Sequence, residues 1–64
     1  MLEFIESVSA WYPPEKIFLV REVDEENIGH LFFNEVWRFS TSVSYLTQEE
    51  MFTIANKLKE LNND

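Results

Sequence analysis

The stretch FIESVSAWYPP, Phe4 to Pro14, decides how the fold begins. It is an apolar run broken by Glu6, Ser7 and Ser9 and closed by two aromatics and two prolines. Together with the residues before it, Leu2, Ile5, Val8 and Trp11 or Tyr12 recur at the spacing of one helical face, with Glu3, Glu6 and Ser7 mostly off that stripe. Pro13-Pro14 stops a helix. The spacing predicts a short amphipathic helix over residues 2–12, stable only if its apolar face docks.

Beyond the prolines, KIFLVREV, Lys16 to Val23, is apolar and β-branched and reads as a strand. Ile17, Leu19, Arg21 and Val23 would line one face, with Phe18, Val20 and Glu22 on the other. DEENIG, Asp24 to Gly29, reads as an acidic loop, because Asn and Gly tolerate turn conformations. HLFFNEVWRF, His30 to Phe39, alternates as a second strand, with Leu31, Phe33, Trp37 and Phe39 on one face and Glu35 interrupting them. After a reversal at Ser40-Thr41-Ser42, residues Ser42 to Leu46 read as a third strand. The last element opens with Thr47 as N-cap and Glu50 as the reciprocal partner of a capping box. Met51, Ile54, Ala55, Leu58 and Leu61 then follow helical spacing. Glu49 and Glu50 at its start, with Lys57 and Lys59 near its end, suit the helix dipole. The expected fold is a single α+β domain over residues 1–64, in the order α-β-β-β-α, with a three-stranded antiparallel sheet packed against helices.

Composition narrows the class of function. A chain of 64 residues is one small domain of marginal stability. It contains no cysteine, which excludes disulfides and thiolate zinc sites and fits a cytoplasmic protein. No run approaches the ~20 apolar residues of a membrane helix, and the start Met1-Leu2-Glu3 lacks the basic region of a signal peptide. Twelve acidic against five basic residues give a net charge of −7. Such a surface repels nucleic acid and attracts basic surfaces.

No catalytic set emerges. His30 is the single histidine, and no nucleophile–base–orienter group accompanies it. The pairs Glu25-Glu26 and Glu49-Glu50 are what an acidic chain produces by chance, and so short a chain has little room for the cleft a glycosidase pair needs. DEENIGHLFFNE, Asp24 to Glu35, places Gly and Glu as a calcium loop would, but Ile28 stands where an oxygen ligand belongs. Neither a metal nor another cofactor is expected, and the protein reads as a non-enzyme.

Acid and aromatics together suggest binding. Glu22, Asp24, Glu25 and Glu26 place four carboxylates within five residues, and Glu3, Glu6 and Glu15 add more nearby. Carboxylates along a surface imitate DNA phosphates and would occupy the basic cleft of a DNA-processing enzyme. Tight binding also needs an apolar anchor or a pocket for one; Phe18, Phe32 and Trp37 would build such a pocket between sheet and helix.

Glu6-Ser7-Val8 resembles the Glu-Ser-Ile tripeptide of small phage inhibitors of uracil-DNA glycosylase. The size, acidity and aromatic content are similar too. That resemblance implies a DNA mimic whose tripeptide enters the enzyme's DNA-binding cleft, beside a hydrophobic pocket that captures a protruding leucine of the enzyme. In those inhibitors the tripeptide lies on or near an extended edge, whereas the periodicity here places it in a helix with Val8 facing the core. The partner-binding set expected is Glu3, Glu6, Ser7, Val8, Glu22, Asp24, Glu25, Glu26, Phe32 and Trp37. The same charge would serve an anti-CRISPR protein, a nuclease immunity protein or a transcription inhibitor. The alternative reading is a module that dimerises through an exposed strand edge bearing Phe32, Phe33 and Trp37.

Overall fold

A computed structural model of the chain describes residues 1–63. Four strands, β1 (Leu2–Val8), β2 (Lys16–Glu22), β3 (Asn27–Asn34) and β4 (Val36–Thr41), precede one helix, α1 (Gln48–Asn62). The strands form an antiparallel meander in the order β1-β2-β3-β4. The expected α-β-β-β-α order, with three strands and a helix at each end, is therefore wrong at three places.

The first is residues 2–12. Leu2–Val8 is a strand, not a helix, paired with β2 from Leu2 opposite Glu22 to Val8 opposite Lys16. Leu2 and Phe4 face the core, while Ile5 lies on the other face. Apolar residues on both faces of a half-covered strand leave gaps that mimic a helical stripe. The second is His30–Phe39, which is not one strand but a hairpin folded over at Glu35, whose φ is 69°. Leu31 pairs with Phe39 and Phe33 with Trp37 on one face, so the expected grouping of these four residues survives the reversal. The third is Ser42–Leu46, which carries no strand and connects β4 to the helix.

One face of the sheet packs on α1. Val20, Leu31 and Ile54 form its buried centre, ringed by Leu2, Phe4, Phe18, Ile28, Trp37, Phe39, Leu46, Leu58 and Leu61. A bulge helps to fill this core. Val20 pairs with Gly29 but Arg21 with Asn27, so Ile28 is the unpaired extra residue and packs with the central cluster. The helix begins as expected. Thr47 Oγ1 accepts from the Glu50 amide at 3.0 Å, and Glu50 Oε1 accepts from the Thr47 amide at 2.8 Å.

The opposite face is covered only at one end, by the loop between β1 and β2. Ser9 closes that loop: its amide donates to the Glu15 carbonyl and its Oγ accepts from the Glu15 amide, each at 2.8 Å. The Tyr12–Pro13 peptide within it is cis. Trp11 lies across the sheet, its ring 6.2 Å from His30 and 6.4 Å from Phe32.

Candidate binding surface

The partner-binding residues expected from sequence fall into three groups. Glu3, Glu6, Ser7 and Val8 lie on β1, which is an edge strand. Glu3 accepts from Arg21 Nε at 2.6 Å, and Glu6 pairs with Lys16 at 3.2 Å. Both pairs are substantially exposed, so they contribute little stability. Val8 is not buried: it is 64% exposed, beside Glu6 and Ser7 in extended backbone.

The second group, Glu22, Asp24, Glu25 and Glu26, sits at the far end of the β1–β2 hairpin. Asp24 takes a positive φ of 65°, and the Glu25 amide donates to the Glu22 carbonyl at 3.0 Å, closing the turn into β3. Folding adds Glu49 and Glu50 to this end, where with Glu22, Met1 and Thr47 they line a shallow depression. The Met1 ammonium donates to Glu22 Oε2 at 2.6 Å. That hydrogen bond and the Glu22 charge raise the α-amine above its ordinary value of 8.0, with smaller contributions from Glu49 and Glu25. From sequence, Glu50 reads as a capping-box partner and Glu49 and Glu50 as a chance pair that suits the helix dipole, not as part of this acidic end. Their approach to Glu22 depends on how α1 crosses the sheet, which no local pattern encodes.

The aromatic group does not stay together. Phe18 and Trp37 share the helix-covered face with centroids 5.5 Å apart, and both pack against the core. Phe32 projects from the opposite face beside His30 and Trp11. No pocket between sheet and helix can therefore contain all three. The groove on the open face is instead lined by Trp11, Glu15, His30, Phe32 and Asn34, among others. Trp11 and His30 were missed as site residues because Trp11 reaches that face only through the loop fold. Among the described residues, no three His, Asp or Glu side chains are placed to hold a metal ion. Nor is any helix long and apolar enough to cross a membrane.

The two edges of the sheet differ. On β4, the Trp37 amide donates to Asn62 Oδ1 at 2.7 Å and Asn62 Nδ2 donates to the Trp37 carbonyl at 3.1 Å. The side chain from the end of α1 thus makes both bonds a neighbouring strand would make. The expected dimer edge bearing Phe32, Phe33 and Trp37 does not exist as one surface, because Phe32 and Phe33 belong to the internal strand β3 and Trp37 is capped. Comparison with known proteins finds no matching family model, no similar curated protein and no similar solved structure.

Proposed function

We propose that the protein is a non-enzymatic acidic inhibitor that occupies the basic DNA-binding cleft of another protein, with uracil-DNA glycosylase as the first target to test. The observation that carries this reading is the extended Glu6-Ser7-Val8 on the open edge of β1. The departure expected from periodicity, a helical tripeptide with Val8 buried, is gone. What remains is the arrangement the resemblance implies, an acidic tripeptide on an extended edge.

Charge supports the same surface. Glu6 stands opposite Phe18, four residues along β2 from Glu22. The edge therefore joins Glu6 to the acidic end over ~13 Å, at ~3.3 Å per residue. Glu3 lies between them, and Glu49 and Glu50 flank Glu22. With a net charge of −7, the molecule is drawn to a cationic cleft at long range and held by short contacts along β1.

Uracil excision by a bacterial uracil-DNA glycosylase tests the reading. A stoichiometric amount of the protein is expected to abolish excision, and Glu6→Ala with Ser7→Ala to weaken inhibition at least ~10-fold. Undiminished excision at large excess and low salt would remove this target and return the search to other basic, DNA-binding proteins.

A further inference from the structure

We infer that the free edge of β1 accepts an extended, basic segment of its partner as a fifth strand of the sheet. This rests on the reading of the protein as a binder of basic partners and specifies how its edge makes contact.

The ladder shows which backbone groups are open. The Val23 amide donates to the Met1 carbonyl at 3.1 Å, and the Ser9 amide donates to the Glu15 carbonyl at 2.8 Å. Met1 and Ser9 bracket β1, and in an antiparallel ladder bonded and non-bonded pairs alternate. The bonded pairs within β1 are therefore Glu3 with Arg21, Ile5 with Leu19 and Ser7 with Ile17. The N–H and C=O groups of Leu2, Phe4, Glu6 and Val8 point away from the sheet, in a row ~20 Å long. Among the described residues, no side chain or backbone outside β2 bonds to the main chain of β1.

An open edge of this length is what strand addition uses, with main-chain bonds supplying affinity and alternate side chains supplying selectivity. The other edge is unsuited, because a strand laid along β4 would have to displace Asn62 from Trp37. Charge selects the occupant. Glu3 and Glu6 flank the β1 edge on opposite faces, each beside a cation of β2 that it pairs with, and the acidic turn of Glu22, Asp24, Glu25 and Glu26 at its end makes the surroundings negative on balance. A second copy would bring another −7 against them, whereas an extended segment with lysine or arginine at alternate positions complements them.

The test titrates the ¹⁵N-labelled chain with an end-blocked heptapeptide alternating lysine and valine, read by NMR amide shifts and hydrogen exchange. Saturating peptide is expected to slow exchange at Phe4, Glu6 and Val8 at least ~10-fold and to leave the bonded Ile5 and Ser7 amides unchanged. A peptide of the same sequence with every backbone nitrogen methylated keeps its lysine charge but has no main-chain N–H to donate, and is expected to give no such protection. The inference is overturned if both peptides act alike, if shifts fall only at Asp24–Glu26 and Glu49–Glu50, or if neither peptide binds. No glycosylase is present, so this result and the excision assay can fail independently.

Discussion

Glu35 turns the β3–β4 hairpin with a φ of 69°, a conformation that costs a residue with a Cβ about 1 kcal/mol. Glu35→Gly removes that cost and is expected to raise stability by ~0.5–1 kcal/mol in urea denaturation, less whatever the freer unfolded chain takes back. Gly29 presents the reverse case. A Cβ there would meet the Ser40 carbonyl oxygen and lie 2.7 Å and 2.9 Å from the Phe39 ring. Backbone on one side and a core ring on the other leave no easy relief. Gly29→Ala is expected to destabilise by ~1–3 kcal/mol, visible as a lowered denaturation midpoint. Glu35 also explains one error of sequence reading. Turn residues betray hairpins when they are Gly or Asn; Glu35 in that role reads as one polar interruption of a continuing strand, because the apolar alternation resumes on the same face at Trp37.

The elements divide by how local their causes are. Helix α1 was legible throughout, because a capping box and a 3.6-residue repeat are contained in its own sequence. Thr47→Ala is expected to cost ~1 kcal/mol and to fray the first turn, seen as reduced helical circular dichroism and faster exchange at Glu50. Strand β2 and its two faces were also legible through Glu22. Strand β1 was not, since Leu2, Ile5 and Val8 fit a helix while Leu2 and Phe4 fit a strand, and only docking beside β2 decides between them. The candidate surface shows the same division. The acidic turn could be read directly from Glu22 to Glu26, but the approach of Glu49 and Glu50, the crossing of Trp11 and the capping of Trp37 by Asn62 all require the assembled fold. Asn62→Ala removes two hydrogen bonds at an exposed edge and is expected to cost ~1 kcal/mol, with faster exchange of the Trp37 amide as its local signature.

At the scale of the whole molecule, a small core and a large negative charge set the behaviour. Among the described residues the buried apolar ones are Ile17, Val20, Leu31 and Ile54, and no aromatic side chain is among them. Binding to a cationic cleft is expected to weaken steeply as salt rises, since exposed charges are screened beyond ~8–10 Å. The most direct measurement is displacement of fluorescently labelled uracil-containing DNA from a catalytically inactive uracil-DNA glycosylase, followed by anisotropy as the protein is added. The DNA is expected to be released completely at near-equal protein and enzyme concentrations. DNA that remains bound at large excess and low salt would contradict it for this target.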